Sequence, residues 1–290
     1  MDIVLGGTGH VGSALTRALL ERNRPVTVVT HRPEARAGLE ALGARVAIAD
    51  VGDARQLCEV LRSGDRAFLL NPPADPASDT VAEERRTVRS ILEAVRGADL
   101  DKVVAQSTGG ARPGDGEGDL NVLHELEQGL MELDVPAAIV RGAYYMSNWD
   151  ASLDTARSEG VVHTLYPADF PLPMVAPGDL GRVAARLITS APDDVGIHEV
   201  EGPQRYTPTD VASAFATALG RPVRVVVTPR EQWQSSFEAL GFSRPAAASY
   251  AAMTAATLDG GFADPSQVER GTTSLQAYVG ALVARTAHQA

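Results

Sequence analysis

A glycine-rich turn, Gly6-Gly7-Thr8-Gly9-His10-Val11-Gly12, directly follows the short apolar run Asp2-Ile3-Val4-Leu5. That run has the pattern of a strand buried on both faces. Beyond the turn, Val11, Ala14, Leu15, Ala18 and Leu19 recur at helical spacing, and Pro25–Thr30 reads as a second strand. Strand, glycine turn, helix and strand within about thirty residues match one dinucleotide-binding half. The glycines can be taken as Gly7-x-Gly9-x-x-Gly12 or as Gly6-x-x-Gly9-x-x-Gly12. Either spacing lets the backbone approach a pyrophosphate, which the free N–H groups and positive end of the helix then attract. A turn of purely structural purpose would carry the same glycines. The flanking strand–helix–strand context favours the nucleotide.

The rest of the first half repeats the alternation. A helix is expected over Pro33–Leu42, a strand over Arg45–Ala49, a helix over Ala54–Leu61 and a strand over Arg66–Leu70, which Asn71-Pro72-Pro73 breaks. An amphipathic helix at Asp79–Arg96 turns Val81, Val88, Ile91, Leu92 and Val95 inward. A strand at Lys102–Gln106, a helix at Leu120–Leu133 and a strand at Ala137–Val140 follow. This order predicts an α/β fold with a doubly wound parallel sheet and helices on both faces. The second half is less regular, with helices expected at Pro177–Thr189 and Pro208–Leu219 and strands at Val161–Leu165, Ile197–Val200 and Val223–Val227. We expect residues 1–145 to form the dinucleotide-binding domain and 146–290 mainly a smaller lobe, with some segments returning to the sheet.

Composition narrows the function. A net charge of −11 argues against a nucleic-acid partner, which needs a concentrated basic face. No apolar run approaches the ~20 residues of a membrane span. A strand starting at the second residue leaves no room for a signal peptide, and the single cysteine, Cys58, excludes an internal disulfide framework, so a cytoplasmic location is expected. The six histidines and one cysteine show no metal-ligand spacing, and no metal is assigned. His163, His198 and His288 are taken as structural or surface residues. Association into a homo-oligomer stays open.

Cofactor choice is written at the end of the second strand. An NAD site usually places a carboxylate there for the ribose 2′-hydroxyl. This chain has Thr30-His31-Arg32, and the planar guanidinium of Arg32 suits a 2′-phosphate, so NADP (NADPH) is expected. An exposed arginine at a strand end is the plainer alternative. Asp50 and Val51 fall where an adenine ring would lie, although Asp50 could instead cap the next helix. Asn71, Pro72 and Pro73 after the fourth strand, and Ser107 and Thr108 after the fifth, complete the expected cofactor contacts. Aromatic residues are unevenly spread. Of six phenylalanines, six tyrosines and two tryptophans, only Phe68 precedes Tyr144. They either build the core of the smaller lobe or line a pocket for a flat apolar substrate, with Tyr144, Tyr145 and Trp149 the candidates.

Taken together, several segments resemble the NmrA-like branch of atypical short-chain dehydrogenases/reductases. These are the glycine turn, Arg32, Asp50-Val51, Lys102-Val103-Val104-Ala105-Gln106-Ser107-Thr108-Gly109, His124-Glu125-Leu126-Glu127 and Val140-Arg141-Gly142-Ala143-Tyr144-Tyr145-Met146-Ser147-Asn148. Gly220-Arg221-Pro222-Val223 and Gly271-Thr272-Thr273-Ser274-Leu275 extend the likeness over almost the whole chain. The resemblance implies a Rossmann domain with a small C-terminal substrate lobe, and NADPH-dependent reductases acting on quinones or related compounds; with the aromatic residues, the expected substrate is a small apolar quinone, enone or aromatic carbonyl compound. The resemblance equally implies relatives that bind the dinucleotide as redox-sensing regulators, and a third variant would run non-hydride chemistry on an aromatic metabolite. The wider superfamily carries a Tyr-x-x-x-Lys pair. Lys102 is the only lysine here and Ala98 sits four residues before it, so that pair is absent. His124 and Gln128 share a helix face instead, and His124 is the candidate proton relay. The competing expectation is a surface histidine paired with Glu127.

Overall fold

In the computed structural model, which describes residues 1–260 and 267–287, β1 (Asp2–Leu5), α1 (His10–Glu21) and β2 (Val26–Thr30) form the opening βαβ unit. His288 lies outside the described residues. After a 3₁₀ turn at Pro33–Ala35 come α2 (Arg36–Ala41), β3 (Arg45–Ile48), α3 (Ala54–Leu61), β4 (Arg66–Leu69) and α4 (Thr80–Arg96). β5 (Lys102–Thr108), α5 (Asp119–Met131) and β6 (Ala137–Gly142) complete the alternation. The second half contains β7 (Tyr144–Tyr145), α6 (Ser152–Ser158), β8 (Val161–Thr164), β9 (Leu172–Val175), α7 (Pro177–Thr189) and β10 (Gly196–Glu201). It ends with β11 (Arg205–Tyr206), α8 (Pro208–Leu219), β12 (Arg224–Val227), α9 (Trp233–Ala239), α10 (Arg244–Gly260), β13 (Glu269–Arg270) and α11 (Leu275–Ala287).

The strands assemble into an eight-stranded sheet in the order β13-β10-β6-β5-β4-β1-β2-β3, all parallel. The strand order reverses between β1 and β4, and a crevice opens outside their carboxyl ends. One apolar layer lies under α1 and α7, and a second lies under α3, α4 and α5. A third core, rich in aromatics, fills the smaller lobe around Trp149, Tyr166, Tyr206 and Phe215. β10 and β13 belong to the large sheet although they lie far along the chain, and α7 packs on α1.

Two local differences from the sequence reading have physical causes. Pro33–Leu42 splits into the 3₁₀ turn and the short α2, where only Leu39 is buried and an apolar stripe to hold one continuous helix is lacking. β5 runs on to Thr108 because Ser107 and Thr108 pair with Arg141 and Gly142 of β6. Among the described residues no helix is long and apolar enough to cross a membrane.

The α1–α7 crossing depends on Gly181. A Cβ there would lie 2.6 Å from Ala14 Cβ and 2.9 Å from the Val11 carbonyl oxygen. At the far end of α7 the orphan carbonyls are met by cations. Arg22 donates to Ala185 O at 3.0 Å, and Arg66 donates to Ile188 O at 2.7 Å and Ser190 O at 2.6 Å. The Lys102 ammonium, fully buried, reaches Ser190 Oγ, Ala191 O and Asp194 O at 2.7–2.8 Å. Lys102 thus stands at the amino end of β5, opposite the crevice, and fastens the end of a helix. Gly181→Val should force α1 and α7 apart and lower the stability measured by urea unfolding by about 1–3 kcal/mol, the usual cost of overpacking.

Candidate active site

The glycine turn is built by close backbone approach. Gly6 sits at φ +66°, where a side chain is strained, and Gly9 N–H donates to Gly6 O at 2.9 Å. A Cβ on Gly12 would lie 2.3 Å from Gly6 O, so the first turn of α1 presses directly on the end of β1. Gly9 differs from these two. Its missing Cβ would meet only Gly6 O, at 3.3 Å, and otherwise faces open space. The first-turn N–H groups of α1 lack intrahelical partners and face the same space, as an anion seat requires. At the end of β2, Arg32 Nη2 donates to Thr8 Oγ1 at 2.8 Å, which draws the guanidinium onto the turn and leaves its other donors exposed. Thr8 is half-buried, and His10 and His31 are exposed. Asp50 Oδ1 accepts from Gly52 N–H at 2.8 Å, and Asp53 is the residue that caps α3, through Arg55 and Gln56 N–H. Asp50 is therefore not the helix cap. The residues present fit an NADP dinucleotide: a glycine cradle, a helix N-terminus and an arginine where a carboxylate would select against a phosphate.

Beside this turn, outside the carboxyl ends of β4 and β5, a cavity of about 350 Å³ is open to the crevice. Leu70, Asn71 and Pro73 from the β4 end, Ser107 and Thr108 from β5, and Tyr144 and Tyr145 from β7 all line it. Pro72 and Trp149 are not among the lining residues. Trp149 is 4% exposed and belongs to the lobe core behind Tyr144, with ring centroids 6.1 Å apart, so the expected substrate contact is corrected to a core position. Tyr166 takes that place instead, edge-on to Tyr144 at 5.7 Å and stacked on Phe170. Burial pushes the Tyr144 phenol up to about 12 and raises those of Tyr145 and Tyr166 as well, so all three stay neutral. Among the described lining residues none is lysine, arginine or histidine.

Polar groups at the cavity are held from behind. Ser107 donates to Glu127 Oε1, and Arg141 clamps the same fully buried carboxylate at 2.8 and 2.6 Å. Gln106 donates through Nε2 to Ser107 O at 2.8 Å and Val140 O at 3.1 Å. Its Oε1 and Asn71 Oδ1 are buried acceptors without a protein donor. His124 lies nearer the second expectation, within ion-pair range of Glu127 but part-buried instead of at the surface. Its side chain is 19% exposed, and Nδ1 lies 3.8 Å from Glu127 Oε2, too far for a hydrogen bond, and has no hydrogen-bond partner. α5 presents Asp119, Leu120 and Leu123 to the cavity, and His124 is not on that lining.

Both carboxyls of the lining escaped the sequence reading. Glu84 of α4 is 3% exposed and accepts from Ala74 N–H at 3.0 Å. It faces Asp119, the first residue of α5. Burial raises the Glu84 carboxyl to about 8, the charge of Asp119 adding to it, and burial raises Asp119 too. A signal for Glu84 was present, since it interrupts the inward stripe of Val81, Val88, Ile91 and Val95. Asp119 gave none, because acidic residues are ordinary in a first helical turn.

The model of the NmrA-like family matches residues 3–269. The chain belongs to the NmrA-like family. It is 30% identical over 231 residues to a (4-alkanoyl-5-oxo-2,5-dihydrofuran-3-yl)methyl phosphate reductase of Streptomyces griseus, covering 77% of this chain and 76% of that one. An NAD(P)H azoreductase of Xenophilus azovorans is 25% identical over 83% of this chain and 82% of its own. The NADPH-dependent quinone oxidoreductase of Escherichia coli, solved in complex with NADPH, shares the fold with a TM-score of 0.74 at 21% identity, over 97% of this chain and 99% of the other.

The Glu84 shift sets a pH dependence. Between the ordinary carboxyl value of 4.5 and about 8 the folded chain keeps a proton that the unfolded chain has released. Stability from this source is therefore complete below about 4.5 and is lost as pH rises toward about 8. One proton of difference is worth about 1.4 kcal/mol per pH unit. Glu84→Gln should flatten the fall of the urea midpoint across that range.

Proposed function

We propose that this member of the family is an NADPH-dependent oxidoreductase that reduces a small, uncharged, apolar quinone, enone or aromatic carbonyl compound. The observation that carries the reading is the placement of an aromatic cavity beside the glycine turn at the carboxyl edge of the sheet. In this reading Gly6, Gly7, Thr8, Gly9, His10, Val11 and Gly12 hold the pyrophosphate, and His31 and Arg32 flank the 2′-phosphate. Asp50 and Val51 border the adenine. Asn71, Pro72, Pro73, Ser107 and Thr108 border the nicotinamide half. The bound dinucleotide supplies hydride. The chain supplies orientation: Tyr144, Tyr145 and Tyr166 give flat apolar walls, and Ser107 is held in place by Glu127 and Arg141. Buried acceptors on Gln106 and Asn71 favour a ligand that brings a donor, such as a carboxamide. The Streptomyces griseus relative is named for a phosphate ester. Here two carboxyls and no lining cation disfavour an anionic substrate.

Calorimetry should find NADPH bound more tightly than NADH. Arg32→Ala should narrow the gap by roughly ten- to a hundredfold, the worth of a charge-assisted contact of about 1.5–3 kcal/mol. Equal affinities in the native chain would overturn the assignment of Arg32.

Gly9→Val should leave the fold intact by circular dichroism and abolish NADPH binding, because its side chain enters the open space at the turn. Loss of NADPH absorbance against a panel of quinones and enones tests turnover. Tight NADPH binding with no oxidation by any of them would identify a sensor instead.

A further inference from the structure

Reduction of a carbonyl or enone leaves an oxyanion after hydride transfer, and one proton must reach that oxygen. Tyrosine is the usual donor in the wider superfamily. The cavity tyrosines here are neutral phenols whose burial makes them weaker acids, with no lysine beside them. Another donor lies at the same wall. Glu84, 3% exposed, and Asp119 line the same cavity wall, near enough that the charge of Asp119 bears on Glu84. Two carboxyls on one desolvated wall repel when both are charged, so the pair retains a proton. Glu84 Oε1 is occupied by Ala74 N–H, which leaves the other oxygen for that proton. Among the described lining residues no cation competes for it. Arg85, beside Glu84 on α4, is engaged by Asp115 at 3.0 Å and by Glu125 at 2.8 Å. The titratable groups that sense the pair, Tyr145 from β7 and Tyr250 from α10, are phenols raised by burial. An independent mark of a ligand at this cavity is Gln106, 3% exposed, whose Oε1 has no donor in the protein.

We infer that Glu84 and Asp119 hold one proton between them and deliver it to the oxygen of the reduced substrate. This inference rests on the oxidoreductase reading above. The carboxyl O–H bond breaks, a new O–H bond forms on the substrate oxyanion, and hydride from the dinucleotide supplies both electrons. The pair is left as two carboxylates and recovers its proton from water entering the open cavity. An acid built into the site has a consequence for substrate class. Reduced quinones are stabilised phenolates that need little help from the protein, whereas enolates and alkoxides are strong bases that need a donor. The pair therefore favours an enone or aromatic carbonyl compound over a quinone.

Infrared spectroscopy of the full chain at pH 7 should show a protonated-carboxyl stretch that fades through about pH 8 and is missing in Glu84→Gln. Cinnamaldehyde serves as the probe for turnover, with menadione as the quinone control on the native chain. Glu84→Gln and Asp119→Asn should each lower kcat for cinnamaldehyde by roughly 10²–10⁴ while the fluorescence-measured Kd for NADPH stays the same. The limb of the native kcat profile near pH 8 should disappear with them. Absence of the protonated band in the native chain overturns the inference. So does native turnover of menadione without cinnamaldehyde, or variants as fast as the native chain; in these cases the oxidoreductase reading stands. A native chain that binds NADPH and oxidises it with neither probe overturns that reading, and the inference with it.

Discussion

The carbonyl oxygen of Gly6 lies only 2.3 Å from where a Cβ on Gly12 would be, and the site hangs on that close approach. It lets α1 begin directly at the end of β1, so the helix N-terminus faces the crevice where the strand order reverses. The same helix must also accept α7 across its outer face, and it does so at Gly181, where Val11 and Ala14 approach closely. Two glycines on opposite sides of α1 thus fix its distance from the sheet and from its neighbour. Leu70 closes the arrangement, because its side chain occupies the place a Cβ on Gly6 would need and also forms the cavity wall. Packing and ligand seat are one structure here.

β5 is anchored differently at its two ends. Its first residue, Lys102, spends its charge on carbonyl groups at the end of α7, far from any chemistry. Its last residues, Ser107 and Thr108, reach the cavity, and Ser107 is locked by the buried Glu127–Arg141 pair. Arg141 also contacts Glu199 on β10 at 3.3 Å, so the network ties β5, α5, β6 and β10 together behind the site. Such a pair is costly to bury and contributes less to net stability than to holding a single geometry. Its position, one layer behind the lining, fits that role.

Much of this was legible in the sequence, and the failures are instructive. Buried parallel strands such as Asp2–Leu5 and amphipathic helices such as Pro208–Leu219 declare themselves by period. Two-residue strands such as Tyr144–Tyr145 are too short to show any period at all. Trp149 reads equally as core or substrate contact in sequence, because aromatic residues serve cores and pockets alike, and only the third dimension separates it from Tyr166. His124 drew attention as a titratable group on the right helix. A single helical face cannot be assigned from spacing when Leu123 and His124 are adjacent, and it is Leu123 that lines the cavity.

Glu84 carries the last step of the synthesis. Valine or leucine at that position would complete the apolar stripe of α4 and pack against α5 at no electrostatic cost. A carboxyl there is desolvated, faces a second carboxyl, and keeps its proton into neutral pH as the cheaper alternative to ionising. An ordinary structural carboxylate would find a cation, as Glu127 and Asp2 do in this same chain. Arg85 is one residue away and turns to Asp115 and Glu125 instead. A neutral acid held without a counter-ion, at the edge of an apolar cavity beside a dinucleotide seat, is the arrangement that proton transfer needs and that stability alone would not select.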